Sequence, residues 1–299
     1  MVEFKGVAPP VVTPFRNGEL ALDWLCENLR SYGSTGLSGV VVLGSNGEAV
    51  HLDLEEKLRV VEKARESLPD GMWMMVGAGE STTKATKELV KKVASLGADA
   101  VLIAPPSYYK ESMKPQVLKD HFWAVAEDSP IPVFLYNVPQ FTGLNMEPQL
   151  VAEISEHENV KGIKDSSGNI FQLTEIIRLS STGFKVFVGS ALVFLPALAV
   201  GACGGILAAA NVLPRAFVRL ESLFHKGAIE EARRLQLSLM EISRAVTSGY
   251  GIGGLKAAMD MIGYRGGEPR LPLRRPDEKA MAHLKELLEP WVKEESPTG

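Results

Sequence analysis

The sequence predicts an α/β protein, a (β/α)8 TIM barrel with a C-terminal helical extension, and three observations lead there. Eight short apolar runs alternate with longer amphipathic stretches along the 299 residues. The runs are nearly continuous in apolar character, the pattern of parallel strands covered on both faces. The chain is also long enough: at this size folding buries roughly 75% of the surface that the unfolded form exposes. A large core therefore needs neither metal nor disulfide.

The apolar runs are Val7–Thr13, Gly39–Leu43, Trp73–Gly77, Ala100–Ala104, Pro132–Asn137, Val160–Lys164, Phe184–Val188 and Gly204–Ala208. Between them lie helical patterns such as Leu54–Leu68, Thr83–Leu96 and Leu118–Asp128. In the first of these, Leu54, Leu58, Val61 and Ala64 recur at helical spacing, with Glu55, Glu56, Arg59 and Glu62 between them. From Val186 to Pro214 there is no charge, a stretch longer than a membrane span requires. Pro196, Gly201, Gly204 and Gly205 punctuate it, so we read strand, short helix and strand, and expect no membrane association. A helix over Leu213–His225 completes the eighth unit. Residues 1–225 are thus expected to form the barrel. Residues 226–299 are expected to add packed helices over Ala228–Val246, Leu255–Ile262 and Glu278–Val292, with no linker and one structural unit overall. An open doubly wound sheet would want a glycine fingerprint after the first strand, and Pro9-Pro10-Val11-Val12-Thr13-Pro14 offers none.

Charge and cysteine usage exclude several functions. Thirty-six Asp and Glu against 32 Lys and Arg leave a net charge of −4, unlike the basic stripe of a nucleic-acid-binding surface. Cys26 and Cys203 are the only cysteines, with no disulfide framework or C-x-x-C spacing. The expected home is a reducing cytoplasm, or an organelle matrix. The segment Met1-Val2-Glu3-Phe4-Lys5-Gly6 lacks a signal-peptide layout, so no targeting segment is expected. The five histidines fall in no metal spacing and end no strand run, so no metal and no cofactor is expected. Gly249-Tyr250-Gly251-Ile252-Gly253-Gly254 matches G-x-G-x-x-G but follows a helical pattern. It therefore reads as a connection between helices rather than a dinucleotide site.

In such barrels the active site lies at the C-terminal ends of the strands, so the polar residues ending each run are the candidates. Lys164 ends an apolar strand. A desolvated lysine favours the neutral amine, which can attack a ketone and form a Schiff base. Equally, a strand-end lysine can reach solvent or pair with Asp165. Gly44-Ser45-Asn46-Gly47-Glu48 is a tight turn whose free N–H groups suit a carboxylate, or else an ordinary strand-to-helix turn. Tyr136 ends a strand at the same mouth. A phenol beside a cation can relay protons, or it can make one structural hydrogen bond. Ser166 and Ser190 follow the sixth and seventh runs.

Three segments, in this order, carry a resemblance: Gly44-Ser45-Asn46-Gly47-Glu48, Tyr136-Asn137-Val138-Pro139 with Thr142-Gly143, and Gly162-Ile163-Lys164-Asp165-Ser166-Ser167-Gly168. Together they resemble the dihydrodipicolinate synthase / N-acetylneuraminate lyase superfamily over nearly the whole chain. The G-S-N-G-E form, with Pro106-Ser107-Tyr108-Tyr109 and Ala210-Asn211-Val212, looks most like 4-hydroxy-2-oxoglutarate aldolase and the 2-keto-3-deoxy-hexonate aldolases.

The resemblance implies roles. Lys164 would form the Schiff base with C2 of a 2-oxo acid. Ser45 and Asn46 would hold the substrate carboxylate, with Gly47, Ser166, Ser190 and Asn211 as further substrate contacts. Tyr136, aided by Ser45, would relay protons. Tyr109 would reach a neighbouring subunit's site in a homotetramer built as a dimer of dimers. The implied reaction is metal-free cleavage of a 4-hydroxy-2-oxo acid to pyruvate and an aldehyde. A synthase, a sugar-acid dehydratase and a non-catalytic barrel that binds 2-oxo acids are the other readings. One departure bears on the choice. The synthase branch carries an arginine two residues after the Tyr-Asn-Val-Pro motif, and here Phe141 stands there. A phenyl ring cannot grip a carboxylate as a guanidinium does.

Overall fold

The computed structural model describes residues 2–297; Met1 and Thr298–Gly299, the outer ends of the expected barrel and extension, lie outside the described residues. Eight parallel strands form one sheet: β1 (Gly6–Ala8), β2 (Gly39–Val42), β3 (Trp73–Gly77), β4 (Ala100–Ile103), β5 (Val133–Asn137), β6 (Val160–Asp165), β7 (Lys185–Val188) and β8 (Gly204–Ile206). Each pairs with the next in sequence from β2 to β8, and β8 pairs back with β1, Gly6 opposite Gly204. The barrel closes between β1 and β2. Ser38 N–H donates to Val7 O, Val41 N–H to Pro9 O and Val11 N–H to Val41 O, each at 2.9 Å. The expected TIM barrel with a helical C-terminal extension is therefore present.

The first expected strand, Val7–Thr13, is trimmed to three residues. Pro9 and Pro10 have no N–H to donate, so the regular ladder stops there. Next comes a hairpin that the sequence reading did not anticipate, Phe15–Arg16 against Glu19–Leu20. Its signal was legible: Asn17 and Gly18 both take positive φ, 53° and 82°, as an Asn-Gly turn prefers.

The uncharged stretch folds as read. After β7 come a 3-10 turn at Ala191–Val193, a helix at Phe194–Ala199 and then β8. Among the described residues no helix is long and apolar enough to cross a membrane. Both cysteines are free thiols.

Three expectations for the extension need correction. The helix expected over Ala228–Val246 is divided into Ile229–Ser238 and Met240–Arg244, followed by a π turn at Ala245–Gly249. The glycine-rich run is not wholly a connection, because a helix spans Gly251–Ile262. A Cβ on Gly253 would stand 2.1 Å from the Arg274 carbonyl oxygen, so the glycine there permits close backbone packing. Finally, the helix expected over Glu278–Val292 stops at Leu288 and a short one resumes at Val292–Glu295. Pro290 lacks the N–H that would continue it.

Strand alternation sorts the core into two layers. Phe4, Trp73, Phe134 and Phe187 fill the barrel interior with Tyr136, Ala8, Val41, Met75 and Leu102. The Phe4 and Phe134 rings meet edge to face with centroids 5.0 Å apart. Leu135, Ile163 and Val188 point outward into the larger layer between strands and helices.

At the opposite end from the strand C-termini, Glu221 on helix Pro214–His225 is mostly buried near Gly6. Burial pushes its carboxyl up to about 7, against a downward pull from Lys5. The folded form then keeps a proton that the unfolded form has released, so this group lowers stability as pH rises through the interval between the ordinary carboxyl value and about 7. Glu221→Gln is expected to stabilise the protein at pH 8 by on the order of 2 kcal/mol and to leave it unchanged at pH 4. Thermal unfolding at the two pH values measures the difference; an equal effect at both contradicts the assignment.

Candidate active site

The mouth of the barrel is where β5 and β6 set two inward side chains next to each other. Tyr136 and Lys164 are register partners across that pair. Lys164 is 3% exposed, and its Nζ lies 4.4 Å from the centre of the Tyr136 ring. The Tyr136 hydroxyl is 3.3 Å from Ser45 Oγ. Three strand ends, far apart in sequence, thus place an amine, a phenol and an alcohol in one line of contact.

The alternative partner for Lys164 is pointed elsewhere. Adjacent strand residues face opposite sides, and Asp165 faces the helices. Its carboxylate accepts from Asn137 Nδ2 at 2.7 Å, Ser167 Oγ at 2.6 Å and Gln172 Nε2 at 3.2 Å. Burial raises the Asp165 carboxyl, and these donors hold it down in part. No ion pair joins Lys164 to any carboxylate among the described residues. The lysine is a buried amine without a counter-ion, which a purely structural role does not call for.

Room for it is made just after β7. A Cβ on Gly189 would stand 1.9 Å from Ser166 Oγ and 3.1 Å from Lys164 Cε. Glycine at 189 therefore lets the Lys164 stem and Ser166 share the mouth. Ser166 and Ser190 are both half-buried there, Ser190 leading into the Ala191–Val193 turn.

Ser45, Asn46 and Gly47 form a single 3-10 turn after β2. Gly47 N–H donates to Gly44 O at 3.0 Å and Glu48 N–H to Ser45 O at 3.2 Å. The N–H groups of Ser45 and Asn46, at the start of the turn, find no acceptor among the described residues. Two free backbone donors beside a hydroxyl and an amide make an anion-binding concavity.

One expected substrate contact lies differently. Asn211 is fully buried, and its amide N–H groups are taken by Pro10 O at 2.9 Å and Ala208 O at 3.0 Å. Its oxygen faces the Tyr32 hydroxyl at 3.4 Å. It ties the end of the eighth unit to the first strand and has no N–H left for a ligand. Tyr109 is 71% exposed and stacks edge-on against Tyr108, with no hydrogen bond from its hydroxyl to Ser45 or Tyr136. Phe141 is 67% exposed on the short helix Pro139–Thr142.

A second set of residues beneath the turn was not anticipated. Glu48 and Lys256 are both fully buried and meet at 2.5 Å. Burial lowers the Lys256 pKa to about 8, against the upward pull of Glu48. Glu48 was visible in the sequence as part of a motif. Its partner lies 208 residues further on, in a helix that reads as an ordinary apolar face. Among the described residues no group of three or more His, Cys, Asp or Glu side chains is placed to hold a metal.

Comparison with known proteins gives the family. Residues 3–290 match the model of the dihydrodipicolinate synthetase family. A 4-hydroxy-tetrahydrodipicolinate synthase of Methanosphaerula palustris is 39% identical over 289 residues, 95% of this chain and 98% of that protein. A probable mitochondrial 4-hydroxy-2-oxoglutarate aldolase of Emericella nidulans is 37% identical over 287 residues, 94% of this chain and 93% of that protein. The crystal structure of a dihydrodipicolinate synthase from Bacillus anthracis superposes with a TM-score of 0.92 at 30% identity, covering 97% of this chain and 99% of that one. Similarity that runs the length of the chain, over a barrel whose mouth holds the lysine, tyrosine and serine, has one explanation: the chain belongs to the dihydrodipicolinate synthetase family.

Proposed function

We propose that this protein is a class I aldolase that cleaves a 4-hydroxy-2-oxo acid to pyruvate and an aldehyde. The observation that carries the reading is the buried, unpaired Lys164 beside Tyr136, whose hydroxyl meets Ser45. The amine of Lys164 adds to the C2 carbonyl, and the hydroxyl of the adduct leaves as water with the Tyr136 proton. The resulting iminium is an electron sink. The Tyr136 oxygen takes the C4 hydroxyl proton, the C3–C4 pair flows to C3, and the aldehyde departs. The enamine left on Lys164 takes that proton back at C3. Water then adds at C2, returns a proton to Tyr136 and releases pyruvate. Ser45 and Asn46 hold the substrate carboxylate on the free N–H groups of the turn that Gly47 closes, with Ser166 and Ser190 lining the mouth.

The preferred substrates are 4-hydroxy-2-oxoglutarate, giving glyoxylate, or a 2-keto-3-deoxy sugar acid, giving a sugar aldehyde. Two observations favour cleavage over the synthase reaction: the Emericella nidulans relative is named for that aldolase activity, and Phe141 stands where the resemblance calls for a guanidinium. The synthase reading stays in view because the Methanosphaerula palustris relative bears that name. A panel of 2-oxo acids decides between them. Pyruvate release from 4-hydroxy-2-oxoglutarate or a keto-deoxy sugar acid is expected. Formation of 4-hydroxy-tetrahydrodipicolinate with consumption of pyruvate overturns the reading. A homotetramer, with Tyr109 reaching a neighbouring subunit's site, belongs to the same proposal. The exposed Tyr108 and Tyr109 pair supports it, and a monomer by light scattering at assay concentration removes it.

A further inference from the structure

The turn that carries Ser45 and Asn46 is held in a conformation that its own sequence does not favour. Leu43 before it and Glu48 after it both sit in the left-handed region, at φ 56° and 53°. For residues with a side chain such a conformation persists only when the surroundings enforce it. Several of the enforcing contacts meet at one atom, Lys256 Nζ. Lys256 Nζ meets Glu48 Oε1 at 2.5 Å and donates to Thr13 O at 2.8 Å and Glu268 O at 2.9 Å. Thr13 in turn donates its hydroxyl to Gly47 O at 2.7 Å. The other Glu48 oxygen accepts from Arg270 N–H at 2.9 Å and faces His51 Nδ1 at 3.1 Å. The C-terminal side of the turn is thus held twice, at Glu48 directly and at Gly47 through Thr13. Lys256 lies on Gly251–Ile262, in the extension rather than the barrel.

We propose that the buried Lys256–Glu48 pair is a positioning device for the 2-oxo-acid site. It ties the C-terminal extension to the Ser45-Asn46-Gly47 turn and sets that turn to receive the substrate carboxylate. The proposal rests on the carboxylate-binding role given to this turn above. Neither residue touches the Ser45–Tyr136–Lys164 line, so both act through the turn. A buried ion pair is weak evidence of stabilisation in itself, since apolar replacements of both partners are often tolerated. Removing one partner alone leaves a stranded charge. Stability and positioning can therefore be separated.

The test uses borohydride trapping of pyruvate on the full chain, followed by intact mass at a series of pyruvate concentrations. The native protein is measured first. Absence of any adduct there overturns the proposed function, and this positioning role with it. With an adduct in hand, Lys256→Met and the double variant Glu48→Gln/Lys256→Met are compared with the native chain. The double variant is expected to regain thermal stability lost in the single one. In both, half-saturation by pyruvate is expected to rise about tenfold or more, while the adduct at saturating pyruvate is retained. Native half-saturation in a folded double variant overturns the positioning role and leaves the proposed function standing. Should both variants fail to fold, Thr13→Val removes only the hydroxyl link to Gly47. Half-saturation raised about threefold or more then supports the proposal, and an unchanged value overturns it.

Discussion

Borohydride in the presence of pyruvate is expected to leave one covalent adduct on this chain, at Lys164, and Lys164→Ala is expected to abolish it. Aldol cleavage should fall by roughly 10⁴-fold or more in the same variant, because no other group supplies the electron sink. The geometry makes this prediction sharp. Lys164 is 3% exposed and lacks a carboxylate partner, while Asp165 is engaged by Asn137, Ser167 and Gln172 on the other face of the strand. Lys256 is the other deeply buried lysine, and its ammonium is engaged by Glu48, Thr13 and Glu268. It should not compete for pyruvate. Peptide mapping of the trapped protein reads the site directly. An adduct that survives Lys164→Ala, or an activity that chelators abolish, defeats the Schiff-base assignment. Stability should change little in Lys164→Ala, since the substitution removes a buried amine that nothing neutralises.

The second large effect is expected from Tyr136→Phe. That change keeps the ring beside the amine, 4.4 Å away in the native chain, and deletes only the hydroxyl that faces Ser45 at 3.3 Å. A positioned acid–base group contributes about 10²–10⁴ in rate. We expect kcat to fall within that range and KM to change far less. Trapping with pyruvate should persist but build up more slowly, because dehydration of the first adduct loses its proton donor. A Tyr136→Phe variant with native kcat removes the tyrosine from the proton path. The contrast between the two variants is diagnostic: one removes the covalent link, the other slows the steps on either side of it.

Much of the site was visible in the chain because strand ends are local features. An apolar run that stops at Lys164, another at Tyr136 and a third at Gly44-Ser45-Asn46-Gly47 need only the rule that barrel chemistry sits at the C-terminal ends of strands. Their mutual distances were not visible. Whether Lys164 pairs with Asp165 was left open by sequence, and strand alternation in the folded barrel places the carboxylate on the opposite face. Asn211 shows the reverse case. It lies beside a strand end, as a substrate contact should, yet both of its N–H groups are occupied by Pro10 and Ala208 carbonyls. A hydrogen-bond partner 201 residues away leaves no trace in a local pattern.

Element boundaries divide in the same way. Pro9-Pro10, Asn17-Gly18 and Pro290 act through their own backbones, so the shortened first strand, the hairpin and the broken last helix were legible in principle. The packing of Gly253 against the Arg274 backbone was not, because the reason for the glycine is an atom 21 residues away.

Periodicity and punctuation alone thus determined the barrel, the order of its eight strands, the strand-like character of the uncharged Val186–Pro214 stretch, and the strand ends at which Lys164, Tyr136 and Ser45 stand. These follow from short-range sterics and from the repeat of apolar residues. Only the tertiary structure decided which polar groups are already satisfied and which remain free to react. That decision rests on buried contacts between distant segments, where an unmet charge or donor is costly and each partner must be found in space. Lys256 and Lys164 make the point together: both are buried, but one is consumed by Glu48 and the carbonyls around it, and the other is left with its amine facing Tyr136.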